Sequence, residues 1–199
     1  MHRRLLFTGG AGALAGTAVA AALGGRVAEA RRGHPKIPDV EVVDQDGNPH
    51  LFYSDLVANR IVLVNFFFQT CGDICPLVSQ NLREVQDLLA DRMGRDIFMY
   101  SITLQPEFDQ PHILKAYARQ WDAQPGWSFL TGAFEDIERL RRAMGFASSD
   151  PLYDLILDNH TGTLRYGNAR IDRWAATPAL ARPAWIAKAV TSIAGQASA

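Results

Sequence analysis

Ile61-Val62-Leu63-Val64-Asn65-Phe66-Phe67-Phe68, followed after Gln69 by Thr70-Cys71-Gly72-Asp73-Ile74-Cys75-Pro76, is the stretch whose reading decides the fold. The first eight residues are apolar apart from Asn65 and rich in β-branched and aromatic side chains. That predicts a central strand covered on both faces. From Pro76 the period changes: Leu77, Val78, Leu82, Val85, Leu88 and Leu89 recur every three or four residues as far as Arg92. This is the pattern of an amphipathic helix, and proline suits its first turn, where a missing N–H costs nothing. Cys71 and Cys75, the only cysteines in the chain, fall at the junction. Four residues apart, they share one face of a helical turn, where two sulfurs close a disulfide or clasp one soft metal ion.

Working outward, the same alternation repeats. Asp39-Val40-Glu41-Val42-Val43 and the following Asp46-Gly47-Asn48 predict a short strand and a tight turn. Asp96–Leu104 predicts a second buried strand, Pro111–Trp121 a helix, Trp127–Leu130 a third strand and Phe134–Met144 another amphipathic helix. Leu152–Leu157 is apolar but interrupted by Asp154, and reads as a strand or as a loop packed on the core. Thr163–Gly167 predicts a last strand and Pro183–Ile193 a closing helix. Strands alternating with helices make βαβ units around a central sheet, so the predicted fold class is α/β.

The first thirty residues read differently. His2-Arg3-Arg4 is a basic start, Leu5–Gly25 a charge-free run rich in Ala, Gly and Leu, and Ala28-Glu29-Ala30 a small-x-small site before Arg31-Arg32. Residues 1–30 are therefore expected to be a cleaved export signal, with Arg3-Arg4 suggesting the twin-arginine route. The alternative is an uncleaved anchor in the membrane. Residues 31–37 are a polar linker and 38–199 the folded domain. Residues 1–30 hold three of the twenty Lys and Arg and one of the twenty-one Asp and Glu, which leaves 17 basic against 20 acidic groups, formally −3. With no basic stripe, nucleic acid is not an expected partner, and membrane contact is expected only through a retained N-terminal segment. The expected location is the periplasm.

Export sharpens the meaning of the cysteines. In an oxidising compartment a working thiol pair needs a reductant or a metal to protect it. A disulfide across four residues closes almost no loop and stabilises little, so a structural staple is disfavoured. A helix N-terminus favours thiolate over thiol, the form that attacks disulfides and binds metal.

Val62 through Pro76, with Thr70-Cys71-Gly72-Asp73-Ile74-Cys75-Pro76 at its centre, resembles the Sco/SenC family of thioredoxin-like copper proteins. The likeness extends through Ser101–Pro111, Leu114–Ala118 and Trp127–Gly132. The resemblance implies a thioredoxin-like fold, a central mixed sheet flanked by helices, and copper, Cu(I) or Cu(II), held by Cys71, Cys75 and a distant histidine before a late strand. Of the histidines, His2 lies in the signal, His34 in the linker, His50 beside a turn and His112 at a helix start. His160, in Asn159-His160-Thr161-Gly162-Thr163-Leu164, is the one the resemblance selects as third ligand. A second alignment takes Leu155-Ile156-Leu157-Asp158 as the late strand and leaves Asp150 at the histidine's place. Gln105 stands where relatives usually carry Asp. Asp73 and Asp109 are candidates to support the ligands or to dock a partner.

The function this implies is a metallochaperone-like protein of cytochrome c oxidase assembly. Its partner would be a copper-accepting respiratory oxidase subunit or another periplasmic copper or thiol protein. The competing reading is a thiol-disulfide oxidoreductase in which Cys71 attacks and Cys75 resolves. A peroxidase is disfavoured, because no arginine lies beside the pair in sequence.

Overall fold

The structure, a computed structural model, describes residue 34 and residues 36–194. The export signal expected at residues 1–30 lies outside the described residues. No helix among the described residues is long and apolar enough to cross a membrane.

The elements in chain order are β1 (Glu41–Asp44), β2 (Pro49–Leu51), a π-helical turn (Phe52–Val57), β3 (Ile61–Phe67), α1 (Ile74–Leu88), β4 (Ile97–Thr103), α2 (Pro111–Gln120), β5 (Trp127–Gly132), α3 (Phe134–Ala143), α4 (Pro151–Asp154), a 3-10 helix (Leu157–His160), β6 (Thr163–Asn168), β7 (Arg173–Pro178) and α5 (Pro183–Ser192). Seven strands form one mixed sheet in the order β2-β1-β5-β4-β3-β6-β7. The inner β3, β4 and β5 run parallel, while β1, β6 and β7 join antiparallel. Helices flank this sheet in a thioredoxin-like α/β fold.

Every residue of β3 is buried, which is why its sequence reads as an unbroken apolar run rather than an alternating one. The exception, Asn65, is matched across the ladder. Asn65 pairs in register with Ser101 of β4, whose hydroxyl donates to Asn65 Oδ1 at 2.8 Å and accepts from Trp127 Nε1 at 3.0 Å. A polar group thus lies in the sheet centre with its hydrogen bonds made. Beside it Phe67 stacks on Tyr117 of α2 at 5.1 Å and meets Phe129 edge-on at 5.5 Å. Truncating such a ring to alanine costs about 3–5 kcal/mol.

Boundaries moved where side chains outweighed local signals. The helix expected from Pro76 to Arg92 begins at Ile74 and ends at Leu88, so Cys75 lies inside its first turn rather than ahead of it. Leu152–Leu157 is neither strand nor plain loop: Asp150 caps a one-turn helix by accepting from the Leu152 and Tyr153 N–H groups, and the 3-10 turn follows. The edge strand β7 escaped the sequence reading because Arg173-Trp174-Ala175-Ala176-Thr177-Pro178 shows neither an apolar run nor alternation. It is placed by packing, with Trp174 lying where any side chain at Gly167 of β6 would stand.

Candidate functional site

The cysteines lie where β3 ends and α1 begins. Cys71 N–H donates to Phe68 O at 3.2 Å, folding the chain into a turn off the strand. That turn is braced from the segment after β4. Gln69 N–H donates to Asp109 Oδ2 at 3.1 Å, and the Thr70 hydroxyl donates to Gln105 Oε1 at 3.0 Å. Asp109 is buried, at 1% exposure, and also accepts from the Thr103 hydroxyl. Burial raises its carboxyl pKa against the two hydrogen bonds, which lower it. Asp109 therefore positions the backbone that leads into Cys71. Asp73 is exposed at the N-cap of α1 and makes no capping bond there.

Both cysteines are free thiols, Cys71 6% and Cys75 1% exposed. Cys75 N–H donates to Cys71 Sγ at 3.4 Å, so the first turn of α1 brings the two residues together. Burial pushes the Cys75 thiol up, and the neighbouring Cys71 adds to this. A backbone contact from Phe68 and the Thr161 hydroxyl pull it the other way without prevailing. Desolvation thus outweighs the helix-terminus preference for thiolate expected from the sequence at Cys75.

A second loop closes over the pair. Cys71 Sγ lies 3.6 Å from Asp158 Oδ1, Thr161 lies beside Cys75, and Gly162 packs beside Ile74. The loop before β6, picked out by the resemblance, is therefore at the cysteines. His160 is in that loop but faces elsewhere. Its ring is buried, with Nε2 2.9 Å from the Asp154 carbonyl oxygen and its two ring nitrogens 3.2 and 3.3 Å from Arg141 Nη1.

Arg141, from α3, is the hub of this second cluster. It donates to Asp154 at 2.8 and 2.9 Å, to Glu138 at 2.6 and 2.7 Å and to Phe146 O at 3.0 Å. Hydrogen bonds from Arg141 hold the carboxyls of Asp154 and Glu138 below their ordinary range, and those acids raise Arg141 in turn. Among the described residues no three His, Cys, Asp or Glu side chains converge as a ready-made metal cage. The structure joins Cys71 and Cys75, sets Asp158 and Thr161 against them, and gives His160 to Arg141. In the sequence Asp158 reads only as the end of an alternative late strand, and Thr161 only as part of the stretch around His160. Two adjacent thiols at a strand end nevertheless fit a soft ion.

A family model described as SCO1/SenC matches residues 28–160. The chain belongs to the SCO1/SenC family. Among its relatives, a putative copper-binding protein of Stutzerimonas stutzeri is 33% identical over 55% of this chain and 52% of that one. The mitochondrial protein SCO1 of Saccharomyces cerevisiae is 30% identical over 56% of this chain and 37% of its own length. The chain spans about half the length, or less, of these curated relatives. Yeast Sco1 with copper bound superposes with a TM-score of 0.61 at 20% identity, covering 80% of this chain and 93% of that one. BsSco, described as a member of the Sco family of cytochrome c oxidase assembly proteins with a disulfide switch, gives 0.64 at 23% identity, covering 81% and 94%. At these identities the superpositions speak for the Sco fold.

Proposed function

We propose that this Sco/SenC protein is an exported copper carrier that holds its metal through the Cys71 and Cys75 thiolates for delivery to a respiratory oxidase. One observation carries the reading: two buried, unbridged thiols meet within one helical turn at the end of the central strand. Two thiolates satisfy Cu(I), whereas Cu(II) calls for further nitrogen or oxygen donors. The family resemblance offers His160 as the third donor, and to serve, its ring must leave Arg141 and the Asp154 carbonyl. Delivery requires a surface for the recipient. Phe108, Leu155 and Ile156, in the segments that carry Asp109 and Asp158, are exposed apolar residues suited to a protein partner. Residues 1–30 supply the export signal.

The same sulfurs support a second reading, thiol-disulfide exchange, favoured by the greater exposure of Cys71 over the resolving Cys75. An anaerobic Cu(I) titration of the reduced full chain, with Cys71→Ser and Cys75→Ser alongside, separates the two. One equivalent bound, and weakened in both variants, supports carriage. No cysteine-dependent binding, with rapid reduction of a model disulfide, replaces it with the oxidoreductase.

A further inference from the structure

We infer that the third donor to the cysteine pair is the carboxylate of Asp158 and that His160 is the anchor which holds it there. The inference rests on the copper reading above and names a ligand set within it.

Helical geometry separates the two residues. Leu157–His160 is a 3-10 helix, with three residues per turn, so residues three apart eclipse one another. Asp158 and Thr161 therefore share a side, and that side is the one turned to the cysteines, with Asp158 Oδ1 3.6 Å from Cys71 Sγ. His160 stands two-thirds of a turn away from Asp158 and falls on Arg141. The turn is locked in this orientation. The Thr161 hydroxyl and N–H donate to Asp158 O at 2.9 and 3.3 Å, and Asn159 Nδ2 donates to Tyr153 O at 2.8 Å. For His160 to reach the sulfurs, these bonds and its contacts to Arg141 and Asp154 must be given up. Asp158 has far less to move: its oxygen already lies 3.6 Å from Cys71 Sγ, and drawing it in with Cys75 around one ion takes only a closing of the exposed carboxylate onto the pair.

The chemistry differs accordingly. Two thiolates and a carboxylate form a sulfur-sulfur-oxygen set that suits divalent ions such as Cu(II), Co(II) or Zn(II), while Cu(I) is served by the sulfurs alone. Asp158 is also exposed, so the hard donor sits on the solvent side of the pair. It is then the first ligand exchanged when a recipient approaches.

Co(II) is the probe of choice, because it leaves thiols reduced and its visible bands report the donor set. The reduced full chain is titrated with Co(II) under exclusion of oxygen, beside Cys71→Ser, Cys75→Ser, Asp158→Asn, Asp158→His and His160→Gln. The expected result is a sulfur-to-metal band lost in both serine variants. Even supporting partners of a ligand are worth 10–100-fold in affinity, so Asp158→Asn should weaken binding by at least about tenfold. Asp158→His should keep affinity and shift the visible bands as nitrogen replaces oxygen. His160→Gln should keep the band positions, the donor set being unchanged, and weaken affinity as the anchor is loosened. Bands that move in His160→Gln would overturn the assignment by making the imidazole a donor. Unshifted bands and wild-type affinity in both Asp158 variants would overturn the assignment while leaving the cysteine site standing. A band that ignores the serine substitutions would overturn the copper reading and this inference together. Because the Asp158 side chain bonds no backbone group, its variants are expected to fold.

Discussion

Arg141 Nη1 stands 3.3 Å from His160 Nδ1 and 3.2 Å from His160 Nε2, while the same guanidinium closes on Asp154 and Glu138. One buried cation thus ties the end of α3 to the loop that covers the cysteines. His160 completes this hub with a bond to the Asp154 carbonyl. His160→Ala should therefore lower stability by about 1–3 kcal/mol through the unpaired carbonyl and the space left behind. Urea unfolding at neutral pH reads this directly. A variant as stable as the parent would show that the ring is not an anchor.

Asp154 gives the hub a pH dependence. Arg141 holds its carboxyl well below the ordinary value of 3.8. For an acid depressed in the fold, the stabilisation is present above the unfolded value and is lost as pH falls through the folded one. Asp154→Asn should thus cost on the order of 3 kcal/mol at neutral pH, as for a broken buried pair. Once both proteins carry a neutral side chain at strongly acidic pH, the difference should shrink towards zero. Unfolding midpoints followed down a pH series test this. A gap that stays constant with pH would deny the ion pair its part.

Asp109 predicts the opposite sign. Burial raises its carboxyl above 3.8, so the ionised form costs stability that is recovered as the pH drops below the folded value. Both of its bonds, from Thr103 and Gln69, go to one oxygen, and an amide oxygen can accept both. Asp109→Asn should accordingly match or exceed the parent in stability at neutral pH and lose that advantage in acid. Asp109→Ala should lose about 1–3 kcal/mol by leaving two donors without an acceptor. Thermal melts of the two variants at neutral and acid pH would reveal a different role if alanine were the milder change.

The sequence announces those features whose cause is local. β3 is legible because each of its residues is buried, and the cysteine turn because the period changes at Pro76. The loop before β6 is legible too, through the short signal around His160. What stays hidden is the rotation of that loop. A histidine next to a late strand reads as a ligand, but the 3-10 turn directs Asp158 and Thr161 to the sulfurs and His160 to Arg141. That outcome depends on a guanidinium in α3, nineteen residues earlier in the chain. Nothing in Glu138-Arg139-Leu140-Arg141 marks the last residue as buried, since an arginine in an amphipathic helix normally faces water. Cys71 and Cys75 are marked as a functional pair by their positions alone. Their relative reactivity depends on burial that no spacing reveals.

That reactivity yields the last prediction. The thiolate is the attacking form, and burial pushes the Cys75 thiol up while Cys75 is also the less exposed of the two. An acid raised in this way keeps its proton as the pH climbs past the ordinary thiol range. At mildly alkaline pH Cys71 should therefore react first with iodoacetamide, with Cys75 labelled at least about tenfold more slowly, each unit of pKa being a tenfold loss of thiolate. Mass mapping after timed quenching gives both rates in one sample, and labelling in denaturant supplies the unhindered limit. If Cys75 reacted first, the buried thiol would have to be the nucleophile of any exchange reaction, and Cys71 the resolving partner.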